Sequence, residues 1–224
     1  MLGLPGSVVL VAAATKPWRQ AAEYDTVVTM VAVRKHLPTL MTVDEFLVWD
    51  SDDLTGRRWQ LIDGEPVLMA PAADPHSRRQ AELVRLLGNH LLASGRPCAV
   101  VVAPGVVPRV RSNENFRIPD LGVTCAPPSD KVMVPDPVLL IEILSPGNAA
   151  KTRSNVWTYT TIPSVQEILV VHSTRMEIEL LRRGPDGNWP DSPATLKAAD
   201  QLELACIGFA VPVADAYRTA GLSR

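Results

Sequence analysis

Apolar residues along this chain recur at alternate positions, at every fourth position, or in short unbroken runs, and each spacing predicts a different element. The clearest unbroken run, Leu139–Leu144, lies between "PDP" and "SPG" and predicts a buried strand. Alternation along a strand puts Leu139, Ile141 and Ile143 on one face and Leu140, Glu142 and Leu144 on the other. Both faces are apolar except at Glu142, as in an interior strand covered on both sides. An unpaired charge there costs several kcal/mol. Glu142 must therefore be protonated, paired, solvated through a cleft, or bound to a metal.

The same patterning organises the rest of the chain. "TVDEFLVW" starts a helix, with Thr42 as cap and Glu45 three residues on. "RRWQLIDGEPVLMAP" alternates on both sides of Asp63-Gly64, a strong hairpin signal. "DPHSRRQAELVRLLGNHLLASG" reads as a long helix with Asp74 as N-cap, Pro75 at the first helical position and Gly95 near its end. Leu83, Leu87 and Leu91 fall four apart and face inward, leaving the arginines to face out. Strand-like runs follow at "CAVVVAP", "GVVPRV", "FRIPDLGVTC" and "PVLLIEIL". A helix is expected at "NAAKTRSNVWTYTTI", then a strand at "QEILVVHS" with "MEIELLRR" as its hairpin partner. One or two short strands and a closing helix complete the tail. The order predicts an α/β domain with a mixed sheet flanked by helices and extra hairpins at both ends. Residues 1–38 show no clear period and are expected to be a disordered leader, with a single domain over 39–224.

Composition narrows the function classes. Of 224 residues, 46% are hydrophobic and 21% charged, ordinary for a globular chain. A net charge of -2 gives no global positive field, so any phosphate-binding surface must be local. Cys98, Cys125 and Cys206 are odd in number and far apart, which suggests buried thiols in a reducing compartment rather than a disulfide or zinc framework. "SVVLVAAA" is too short to span a bilayer. The expectation is a cytoplasmic protein with no membrane partner and no organic cofactor.

Two acids are candidates for chemistry. In "RIPDLGV", Asp120 shares a strand face with Gly122, which would leave open space beside it. A turn-rich stretch separates Asp120 from Glu142, so adjacent strands could bring the two together. Close carboxylates share a proton or hold a hard cation, and magnesium takes one or two carboxylates with phosphate oxygens and water. The competing expectation pairs Glu142 with an arginine such as Arg117. Glu65, past the hairpin turn, and His76, in the first turn of the long helix, are further polar candidates. His36, His90 and His172 lack ligand-like spacing and are expected to be structural.

"WQLIDGEPVLMAP", the histidine five residues beyond it, "PD" before a strand, "IEILSP", a tyrosine-bearing helix and "PSVQEILVV" together resemble the Uma-type restriction endonuclease family. The resemblance runs from about Thr42 to Leu222. It implies a fold like the PD-(D/E)XK nucleases, with Asp120 and Glu142 holding Mg²⁺ or Mn²⁺. It also implies DNA as the substrate, with Glu65 and His76 near the cleft. Two departures stand out: Leu144 occupies the position of the motif lysine, and Gln60 stands where many relatives carry Glu. Lys151, early in the following helix, is the candidate replacement for the lysine, and Asn155 stands where relatives often have an acid or lysine. The resulting expectation is a metal-dependent DNA endonuclease that uses Asp120, Glu142, Lys151, Glu65 and His76. The alternative is an inactive nuclease-fold module for nucleic-acid binding or assembly. Arg78, Arg79 and Arg85, and Arg109, Arg111 and Arg117, are the expected phosphate-contacting clusters. "RMEIELLRR" reads either as an exposed hairpin that pairs edge to edge in a homodimer, which would suit a nuclease cutting two strands, or as a satisfied sheet edge.

Overall fold

The computed structural model describes residues 40–51 and 58–219; the expected leader and His36 lie outside the described residues. Thr42 closes a capping box on helix α1 (Val43–Val48), its amide donating to Glu45 Oε2 at 2.7 Å. Strands β1 (Trp59–Ile62) and β2 (Glu65–Leu68) form the expected hairpin. Asp63 and Gly64 turn it with φ of 49° and 83°, the left-handed pair that a tight two-residue hairpin requires. A Cβ on Gly64 would also stand 2.7 Å from Leu40 Cβ.

Helix α2 (Asp74–Ser94) begins one residue earlier than its sequence suggests: Ala73 is the N-cap and Asp74 is already helical. The Asp74 carboxylate accepts from Arg78 one turn on, at 2.7 Å, instead of capping the backbone. Leu83, Leu87 and Leu91 are buried as expected, and Gly95 ends the helix at φ 64°. The arginines do not all face out. Arg79 is completely buried, with its guanidinium 5.2 Å from the centre of the Tyr217 ring.

The central sheet has six strands in the order β3 (Ala99–Val102), β4 (Leu121–Thr124), β5 (Pro137–Leu144), β6 (Glu167–His172), β7 (Glu177–Arg182), β8 (Ala194–Lys197). Within this sheet β5 and β6 run parallel, joined by helix α3 (Ala149–Tyr159), and the other neighbouring strands pair antiparallel. "GVVPRV" forms bridges rather than a strand, because Pro104 and Pro108 around it have no amide hydrogen for a ladder. The tail holds a further hairpin, β9 (Gln201–Leu204) with β10 (Phe209–Pro212), and closes in a 3-10 turn at Val213–Tyr217 rather than an α-helix.

The two faces of β5 are covered as its pattern requires. Leu139, Ile141 and Ile143 pack with Leu83, Leu87 and Leu91 of α2 and with the β9–β10 hairpin. Leu140 and Leu144 pack with Val156 and Tyr159 of α3. Two expectations are overturned here. "RMEIELLRR" contains β7, which is hydrogen-bonded on both sides by β6 and β8 and so offers no edge for a second copy. Cys98 and Cys125 form a disulfide: antiparallel pairing of Ala99 with Thr124 puts the flanking cysteines opposite each other, a proximity that their separation of 27 in sequence conceals.

Candidate active site

The register of β4 on β5 decides whether the two acids meet. Leu121 pairs with Ile141, so Asp120, one residue earlier, stands opposite Glu142, one residue later. Asp120 lies just before β4 rather than within it. Its carboxylate is held from two sides: Oδ2 accepts the Ile143 amide at 2.6 Å, and Oδ1 lies 3.0 Å from His76 Nε2. The Asp120 carbonyl accepts from Gln80 Nε2 and from the Ala103 amide. His76 is buried, and helix α2 thereby fixes Asp120 from the side opposite the sheet.

Glu142 points to the α3 face. Its Oε1 accepts from the Tyr159 hydroxyl at 2.6 Å and from Asn155 Nδ2 at 3.3 Å. Among the described residues no arginine pairs with it, so the expected Arg117 ion pair is not formed. Arg117 instead donates to Asn155 Oδ1 and Asn115 Oδ1, which links it to Glu142 through Asn155, while its charge also acts on Glu142 across space. Burial, reinforced by the negative charge of Asp120, raises the Glu142 carboxyl to about 8. Burial and the neighbouring acid also push the Tyr159 hydroxyl well above its ordinary value, so it remains a donor.

Both acids line one cleft of about 710 Å³, with His76, Lys151, Asn155, Gln60 and Arg58. Lys151 makes no ion pair among the described residues. Its ammonium is pulled down by burial, while Glu142 works in the opposite direction. Leu144, at the motif lysine position, is buried in the core against α3. Gly122 does not leave free space: a Cβ there would lie 3.0 Å from Pro104 Cγ and 3.3 Å from Leu140 Cδ2. It permits close packing beneath the site instead.

Glu65 is not brought to the cleft. It is exposed at the turn end of the hairpin, where it pairs with Ile62, whereas the cleft is walled by the opposite end, at Arg58, Gln60, Leu68 and Met69. The expected basic clusters are also dispersed. Arg78 and Arg85 are paired with Asp74 and Glu82, Arg111 sits 3.6 Å from Asp63, and Arg79 and Arg117 are buried. Arg109 borders a separate cavity. The tyrosine of the α3 motif, Tyr159, carried no expected role in the site, because its contact with Glu142 depends on how α3 docks on the sheet.

Sequence reading set aside His172, which the β6–β7 hairpin places with Glu177 and Glu179 within 4.8 Å. Those acids are already answered by cations. Arg153 donates to both Glu179 oxygens, and Arg175 donates to Glu177. His90, by contrast, bonds the Ile207 carbonyl as a structural histidine would.

A mixed sheet flanked by helices, with Asp and Glu opposed on neighbouring central strands, defines the restriction-endonuclease-like class. The chain matches the model of the Uma2 family, described as "Putative restriction endonuclease", over residues 43–214, and it belongs to that family. An uncharacterised protein of Synechocystis sp. (strain PCC 6803) is 30% identical over 181 residues, covering 80% of this chain and 92% of that relative. A crystal structure from Anabaena variabilis ATCC 29413, described as "a putative nuclease belonging to DUF820", has a TM-score of 0.62. It is 16% identical and covers 80% of this chain and 98% of its own, so it supports the fold alone. Among the described residues no helix is long and apolar enough to cross a membrane.

Proposed function

We propose that this protein is a nuclease that hydrolyses phosphodiester bonds in DNA with a divalent cation held by Asp120 and Glu142. The observation that carries the proposal is the opposition of these acids in one cleft, beside Lys151, which makes no ion pair among the described residues. The donor set suits Mg²⁺ or Mn²⁺. Both acids offer hard oxygens, and Glu142 Oε2 has no hydrogen-bond partner among the described residues. A cation bound there would polarise the scissile phosphate and lower the pKa of a coordinated water.

The chain's own groups have distinct parts. His76 and the Ile143 amide hold Asp120 in one orientation. Tyr159 and Asn155 occupy one oxygen of Glu142 and leave the other for the ion. Lys151 and Arg58 supply positive charge in the cleft for a phosphate oxygen. Leu144 cannot take the part of the motif lysine, so charge stabilisation falls to Lys151.

The buried Leu144 and the engagement of most arginines favour a second reading, a non-cleaving module of nuclease fold. Cleavage of supercoiled DNA separates the two. The nuclease reading expects nicking with Mg²⁺ or Mn²⁺, none with EDTA, none from Glu142→Ala, and a reduction of roughly a hundredfold or more from Lys151→Ala. No nicking by the wild-type protein would favour the module, and nicking that Glu142→Ala retains would discard the assigned site.

A further inference from the structure

Gln60 holds a position that neither its hairpin nor the core accounts for. It lies on β1 with only 2% of its surface exposed, and its side-chain oxygen has no hydrogen-bond partner among the described residues. A buried carbonyl left unpaired is destabilising, so such an atom calls for a ligand. The same side chain lines the cleft that contains Asp120 and Glu142. The other amide there is differently engaged, since Gln80 donates its Nε2 to the Asp120 carbonyl.

Resting on the nuclease reading of this cleft, we infer that Gln60 Oε1 is a third protein ligand of the cation held by Asp120 and Glu142. An amide oxygen is a hard, neutral donor of the kind that divalent magnesium, manganese and calcium accept. Neutrality matters beside two carboxylates. A third acid would add another negative charge to a buried pair, whereas an amide completes the oxygen set without adding repulsion. The hairpin supplies the rigidity. Gln60 is paired to Val67 on β2, and the neighbouring Leu61 exchanges backbone hydrogen bonds with Phe116 at 2.8 and 3.0 Å. The N-terminal hairpin is thereby a wall of the ion site rather than an appendage to the sheet.

Calorimetric titration of the intact chain with MnCl₂ alone tests this without any substrate. Gln60→Leu and Gln60→Met, which keep bulk without the oxygen, are expected to weaken Mn²⁺ binding roughly tenfold or more. Gln60→Glu, which restores an oxygen, is expected to recover Mn²⁺ binding that Gln60→Leu loses. Thermal melts in EDTA accompany the titrations. Loss of an unpaired buried oxygen should leave the metal-free melting temperature unchanged or raised, so weaker binding cannot then be blamed on unfolding. If Gln60→Leu and Gln60→Met bind Mn²⁺ like the wild type while Glu142→Ala does not, a water satisfies Gln60 and this inference alone falls. If the wild type binds no Mn²⁺, the metal-site reading falls with it.

Discussion

Glu142 makes the metal-free chain less stable wherever it must lose its proton. A carboxyl held at about 8 when folded, against 4.5 ordinarily, binds its proton more tightly in the native state. Its burial is therefore tolerated below about 4.5, the cost grows as pH rises, and it levels off above about 8. Glu142→Gln should match the wild type in urea melts near the lower limit. Above the upper limit it should exceed the wild type by on the order of a few kcal/mol, both measured in EDTA. A difference that does not change with pH would contradict the assigned burial and charge. The anomaly at Glu142 was legible in sequence because alternation leaves a single acid in an apolar strand. Its partners were not: Asn155 and Tyr159 reach Glu142 only after α3 docks on the sheet. Glu65 misled because its motif neighbours line the cleft while it stands at the hairpin's far end.

At the scale of elements, the site is built by the β4–β5 pairing and by two helices, one on each face. Gly122 permits the close approach of Pro104 to Leu140 beneath the acids. Gly122→Ala is expected to cost about 1–3 kcal/mol in urea denaturation through overpacking, since both neighbours are anchored in the fold. A neutral result would mean that the Pro104 loop yields freely. The hairpin at Asp63-Gly64, the face of α2 and the strand β5 were all legible because turn chemistry and period agreed there. The start of α2 was displaced because Asp74 bonds Arg78 rather than the helix terminus. Arg79 was assigned outward from helical spacing alone, before the C-terminal turn that buries it could be placed.

For the whole molecule, the sheet is covered on both faces, and the cysteine bridge ties its β3 edge to β4. Chain-entropy arguments assign a crosslink across 27 positions about 3.5 kcal/mol. A reductant should therefore lower the melting temperature of the wild type and leave Cys98→Ser unmoved; equal curves would show that the bridge contributes nothing. The pairing was hidden because cysteine number and spacing carry no information on strand register. The fold class was legible from element order, and the family from motif order, whereas the phosphate-binding surface was not. Clusters of arginines in sequence dispersed once Asp74, Glu82 and Asp63 answered them. Anomalous diffraction from crystals soaked in Mn²⁺ tests the central claim most directly. The account predicts one strong peak within about 2.0–2.6 Å of oxygens from both Asp120 and Glu142. A peak elsewhere, for instance at His172 and Glu179, or no peak between the two acids at saturating Mn²⁺, would contradict it.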